Sequence, residues 1–271
     1  MVIFRNIVIA ILVSFFCDIA AEPKKMLTLE DVLIKYQEAF YNSENPDINK
    51  KIDYAGTTAL IAASSSGDLK CVKILLDNGA QVACKTRGGI TPLSSACHGA
   101  YNEIFLLLID KLVKEFDSKK TKSIFSRKKI KDLNYFVNKK DWIGFNPLLY
   151  AVTECSPDVV EKLLNNGAKI SIEVASLKQN ALMLACAADK TAIVELLINK
   201  LIERVVIDEN IKDKQEYIKE FINKKDYKGK TALNLAKNDC AKLIDEYLNN
   251  LDNIIFSYLN SNLNKNEIIE N

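Results

Sequence analysis

What most constrains this chain is a pattern that returns along it. Residues 56–82 read G-T-T-A-L-I-A-A-S-S-S-G-D-L-K-C-V-K-I-L-L-D-N-G-A-Q-V. Their opening returns at Thr91 (T-P-L-S-S-A-C), Asn146 (N-P-L-L-Y-A-V), Asn180 (N-A-L-M-L-A-C) and Thr231 (T-A-L-N-L-A-K). A second apolar stretch recurs as Val72–Leu76, Ile104–Leu108, Val159–Leu164 and Ile193–Ile198, and two copies close in N-G-A, at Asn78–Ala80 and Asn166–Ala168. Self-similarity of this kind marks a stack of small units rather than one closed core.

The residues explain why the units must stack. Thr at the start of a first helix can cap free backbone N–H groups, and Pro at the first helical position already has the right φ. The Leu and Ala positions, Leu182 among them, give one apolar face to a helix too short to persist alone. Gly67, Gly79 and Gly167 suit turn positions with φ > 0. Each helix pair can bury its face only against the next pair.

These residues resemble the ankyrin repeat, with its T-P-L-H-x-A opening, Gly turn, I-V-x-L-L-L helix and G-A-D ending. The resemblance implies an all-α solenoid of five helix-turn-helix repeats that works by binding protein. The repeats fall at about 53–85, 86–140, 141–174, 175–225 and 226–247. Their starts are spaced 33, 55, 34 and 51 residues apart. The short gaps match the family period, and the long ones add helical insertions at 110–136 and 200–222. The insertions resemble each other: L-L-I-D-K-L-V at Leu107–Val113 answers L-L-I-N-K-L-I at Leu196–Ile202, and F-V-N-K-K-D-W at Phe136–Trp142 answers F-I-N-K-K-D-Y at Phe221–Tyr227. A related D-I-N-K-K-I-D stands at Asp47–Asp53, so a two-repeat module has been duplicated. In each flap the second helix runs on, through Leu112, Val113 and Phe116 or Leu201, Ile202 and Val205. A short return helix near Lys129–Phe136 or Lys212–Phe221 packs back upon it. Partner contact and purely local packing are both open roles for these flaps.

Terminal helices with one polar face protect an open solenoid. Leu29 to Tyr41, within 22–47, and Leu248 to Leu263, within 248–271, are expected to be such caps. Residues 1–21 read as an export signal: Arg5, an apolar run from Ile7 to Cys17, then the small Ala20 and Ala21. Eleven residues span roughly 16 Å of helix, short of the ~30 Å hydrocarbon core, so cleavage is favoured over a stable membrane span. Cys17 invites lipid attachment, but Phe16 before it argues against that. Secreted, periplasmic and host-cytosolic end points all remain open. The other six cysteines, Cys71, Cys84, Cys97, Cys155, Cys186 and Cys240, read as small core residues rather than a disulfide framework.

Family ligands usually lie on the concave face made by hairpin tips and first helices. Carried over, the tip position is Tyr54, Arg87, Trp142, Ser176 and Tyr227, with Phe145, Lys230, Thr153 and His98 at nearby variable positions. Tyr, Trp and Arg are the types that dominate interface energetics; the alternative is packing on neighbouring tips. Partner binding is assigned to Tyr54, Arg87, Trp142, Phe145, Tyr227 and Lys230. The run Lys119, Lys120, Lys122, Arg127, Lys128, Lys129 and Lys131 contains no acid. It reads first as a solvated loop, with nucleic acid, acidic lipid or an import receptor as alternatives. Net charge is only +2, so nucleic acid is not an expected partner; the chain is expected to be a monomer. No phosphate loop, nucleophile elbow or metal cluster occurs, and His98 is the only histidine. No enzyme activity, cofactor or metal is expected. The function expected is an exported adaptor or effector, with a host protein suggested by resemblance to secreted ankyrin proteins of intracellular microbes; the rival is a resident envelope protein that shields or inhibits a local enzyme.

Overall fold

In the computed structural model, residues 48–120 and 133–269 are described, with side chains omitted for 117–120 and 261–269. The expected signal, the helix at Leu29 to Tyr41, and Lys122, Arg127, Lys128, Lys129 and Lys131 lie outside them; Lys119 and Lys120 fall in a helix whose side chains there are not described.

Five side chains set the start of each repeat. Thr58, Thr91, Asn146, Asn180 and Thr231 are extended N-cap residues whose side-chain oxygens accept from the N–H three residues on. That satisfies donors that a helix start leaves orphaned. They open the first helices α1 (Ala59–Ser66), α3 (Pro92–His98), α6 (Pro147–Glu154), α8 (Ala181–Ala187) and α11 (Ala232–Leu235). The second helices are α2 (Leu69–Asp77), α4 (Asn102–Lys120), α7 (Pro157–Asn165), α9 (Thr191–Ile207) and α12 (Asn238–Ile269). First helices pack on first helices and second on second, from each repeat to its neighbour. One continuous core results, from Ala59 to Ile255, with Leu60, Leu93, Leu148 and Leu182 in equivalent, fully buried places. The fold is the all-α solenoid of five repeats with two helical insertions.

At the first turn Gly67 adopts φ +76, and a Cβ there would stand 2.4 Å from the Tyr101 ring. The slot between repeats one and two is thus filled by Tyr101 instead.

The insertions pack locally. Phe116 of extended α4 meets Phe136 of α5 (Leu133–Val137) at 5.9 Å between ring centres. In the second insertion, Ile218 and Ile222 of α10 (Lys214–Ile222) are buried where α10 touches both α9 and α12. Lys214 donates to the Val205 and Asp208 carbonyls at the end of α9. Arg204 reaches back to the Leu164 and Ala168 carbonyls at the C-terminus of α7, where a cation is favoured by the helix dipole.

The C-terminal end departs from the expected separate cap at Leu248 to Leu263. One helix, α12, runs from Asn238 to Ile269. The physical reason is packing beyond the fifth repeat: α9 and α10 both lie against this helix, Gln215 of α10 donates to the Asp252 carboxylate, and Leu251 and Ile255 are buried, while Asn249–Asn250 does not break a helix.

The duplicated Asn-Lys-Lys also acquires a role. Asn49 Oδ1 accepts the Gln81 N–H at 2.8 Å, and Asn138 Oδ1 the Lys169 N–H at 2.9 Å. Each ties the arm that leads into a repeat to the loop that closes that repeat.

Two caps carry a defect. Asn146 Nδ2 and Asn180 Nδ2 are buried without a hydrogen-bond partner, where three repeats have Thr. Asn180→Thr keeps the capping oxygen and removes the stranded donor. We expect it to raise stability by about 1 kcal/mol and the melting temperature by a few degrees. A thermal melt in which Asn180→Thr loses stability refutes that.

Candidate interaction face

Between successive helix pairs the chain makes hairpins, and their turns share one device. Asp53, Thr86, Asp141 and Asp226 each accept, through a side-chain oxygen, the backbone N–H four residues on. Asp141 does most: Oδ1 takes the N–H groups of Ile143, Gly144 and Phe145 at 2.9–3.0 Å, and Oδ2 takes the Tyr150 hydroxyl at 2.6 Å. Burial would push the Asp226 carboxyl up, but bonds from the Lys230 and Lys228 N–H groups and the Gln179 amide hold it below the usual carboxylate range. Repeat four has Ala175 at this place and no such latch. Its hairpin closes by a two-stranded ladder, β1 (Glu173–Val174) against β2 (Gln179–Asn180), antiparallel with Val174 opposite Gln179.

The tips form one row because each rests on the one before. Arg87 N–H donates to the Ala55 carbonyl at 2.7 Å, and Tyr227 N–H to the Leu177 carbonyl at 3.1 Å. The Trp142 ring edge lies 3.1 Å from where a Cβ of Gly88 would stand, so the absent side chain makes its seat. Side chains brace the row further: Lys140 Nζ donates to the Glu173 carbonyl at 2.7 Å, and Lys224 pairs with the Glu173 carboxylate. A rigid row is needed if its outward residues are to keep a fixed spacing.

Those outward residues include most of the candidates. Tyr54 is 87% exposed, Trp142 55% and Tyr227 53%; Arg87, Ser176 and Lys230 are exposed as well. Phe145 is half-buried, stacked on Tyr150 at 4.9 Å between centres. His98 meets the same Tyr150 ring edge-on at 5.0 Å. Thr153 is spent locally, its hydroxyl donating to the Tyr150 carbonyl.

Two residues on this face escape a reading of the sequence alone. Tyr150 joins His98, Phe145 and Asp141 into one cluster; its signal was being the sole aromatic among Ala62, Ser95, Tyr150, Leu184 and Leu235, the equivalent positions of the five first helices. Burial, and the bond to Asp141, push its phenol well up, so it remains a donor. Lys228 Nζ sits 5.2 Å from the Tyr227 ring centre, a cation–π distance.

The six cysteines from Cys71 onward are free thiols, four of them buried. Burial pushes Cys71 up to about 11, helped by Asp68, and Cys186 up to about 12, so they remain protonated at neutral pH. Among the described residues no cluster of three His, Cys, Asp or Glu is placed to hold a metal ion. Nor is any described helix long and apolar enough to cross a membrane.

An ordered stack of capped helix pairs joined by protruding hairpins defines a repeat protein that presents an extended surface. The family described as "Ankyrin repeats (3 copies)" matches residues 19–122, and "Ankyrin repeat" matches residues 143–173. The first match reaches back across Leu29 to Tyr41. The chain belongs to the ankyrin-repeat family, and such repeats are protein–protein interaction modules.

Proposed function

We propose that the protein is an exported adaptor or effector that acts by binding a partner protein across its hairpin tips and first helices, with no catalysis of its own. The observation that carries the reading is the braced row in which Tyr54, Trp142 and Tyr227 stand more than half exposed. Large apolar rings held in water on rigid turns are what a partner can desolvate at little further ordering cost. Export rests on the sequence of residues 1–21, and a host-cell end point on family resemblance and on six thiols that fit a reducing compartment.

Trp142→Ala should weaken binding to a partner captured with the full-length protein by more than about 1 kcal/mol, a factor of five or more, while the melting curve moves little. Unchanged affinity would remove Trp142 from the interface. Fractionation of producing cells separates export from residence: protein confined to the envelope favours the shielding or inhibitory role over an adaptor or effector.

A further inference from the structure

Charge on this molecule is sorted, although the total hides it. The five hairpin segments, residues 49–58, 82–91, 138–146, 171–180 and 223–231, hold eleven of the chain's 37 Lys and Arg but only four of its 35 Asp and Glu. All four of those acids are engaged: Asp53, Asp141 and Asp226 accept backbone N–H groups at their own turns, and Glu173 pairs with Lys224. Asp141 and Asp226 are buried besides. What the hairpin row offers to a partner is therefore positive, while the rest of the chain is net negative.

The cations are gathered rather than scattered. Lys51 and Arg87, from hairpins one and two, both flank Gly56, their stems 3.5 and 3.7 Å from its Cβ position. Lys139 lies along Gly89 at 3.3 Å, carrying the group on to hairpin three. Beside it opens a shallow cavity of about 380 Å3 lined by Lys139, Lys140, Lys169, Asn134, Asn138 and Tyr135, with no acid in its wall. Hairpin five adds Lys225, Lys228 and Lys230, all exposed.

We infer that the partner recognised by this face is an acidic segment of another protein, its carboxylates meeting Lys51, Arg87, Lys139 and the hairpin-five lysines while its apolar side chains cover Trp142 and Tyr227. The inference rests on the binding role proposed above and specifies its ligand. Protein is favoured over nucleic acid by the spacing of the rings. Tyr54, Trp142 and Tyr227 sit on alternate repeats, which at 8–10 Å per helix layer puts them about 16–20 Å apart. That is far too wide for stacking successive bases, but matches about five or six residues of extended peptide.

The test uses the full-length protein and a fluorescein-labelled 20-residue peptide of glutamates with leucine at every sixth position. Anisotropy and the emission of Trp142, the only tryptophan, are read at low salt, with a 20-nucleotide oligothymidine as the competing probe. The peptide is expected to bind, to release as salt rises and to shift Trp142 emission. The triple variant Lys51→Glu, Arg87→Glu, Lys139→Glu should lose about tenfold or more in affinity. Lys70→Glu, Lys73→Glu, Lys212→Glu, the same charge change at exposed sites off the hairpins, should lose less than about threefold. Melting curves of both variants confirm that each is folded; if the hairpin triple fails to fold, Arg87→Gln alone, expected to lose about threefold, replaces it. Equal losses in the two triples, no peptide binding, or tighter binding of the oligonucleotide would each overturn the inference. If the peptide fails while Trp142→Ala still releases a captured partner, the acidic ligand falls and the binding role stands.

Discussion

Gly89→Ala is expected to lower unfolding stability by about 3 kcal/mol or more and to split the denaturation curve in two. Gly89 has φ +83, and a Cβ there would stand 2.7 Å from the Lys140 carbonyl oxygen and 3.2 Å from the Asp141 Cα. Both are backbone atoms of the next hairpin, so no side chain can swing away; the seam between repeats two and three must open. Gly229 supplies the control, since it has φ +76 but nothing within 4 Å of the added carbon. Gly229→Ala therefore carries only the backbone strain, roughly 1–2 kcal/mol. Because repeats couple only to neighbours, an opened seam leaves two blocks that melt at different urea concentrations. Circular dichroism follows both, while Trp142, seated on that seam, reports its own. Equal losses for Gly89→Ala and Gly229→Ala would show that the hairpins do not meet as closely as the structure places them.

The same nearest-neighbour coupling explains what could be read from the sequence. A repeat's fold is decided by its own caps and apolar face, so Thr58, Thr91, Asn146, Asn180 and Thr231 announce their helices without knowledge of anything distant. Leu182 is buried for a reason visible in five consecutive residues. The apolar stripe Leu201, Ile202, Val205 likewise extends α9 visibly, and all three are buried. Contacts between repeats are another matter. Nothing near Tyr150 in sequence says that His98, a repeat earlier, will lie against it. The unbroken α12 depends on packing against α9 and α10, elements distant in sequence, and no helix breaker stands at residue 248. Sorting of charge is invisible in a net value of +2; it emerges only when Lys51, Lys139 and Lys225 are assigned to hairpin arms and Asp141 and Asp226 to the inside of turns.

Asp141→Ala is the second large effect expected, and it joins stability to the interaction face. The substitution removes one acceptor from four donors: the N–H groups of Ile143, Gly144 and Phe145, and the Tyr150 hydroxyl. A bond to a charged group contributes about 1.5–3 kcal/mol, and bonds in one network do not add, so a total loss of roughly 3–4 kcal/mol is expected. Asp141→Asn keeps an acceptor oxygen at the turn and can turn its amide toward Tyr150, which should hold the loss near 1 kcal/mol. Tyr150→Phe removes only the fourth donor and should also stay near 1 kcal/mol. Binding separates the three variants further. With the turn unlatched, Trp142 loses its seat beside Gly88 and Phe145 its stack on Tyr150, so Asp141→Ala should weaken partner affinity even at temperatures where the variant is fully folded. Asp141→Asn should retain it. If Asn proves as damaging as Ala, the turn is held by the negative charge of the carboxylate against the lysines around it, not by the geometry of its oxygens, and Asp141 belongs to the electrostatics of the row rather than to its shape.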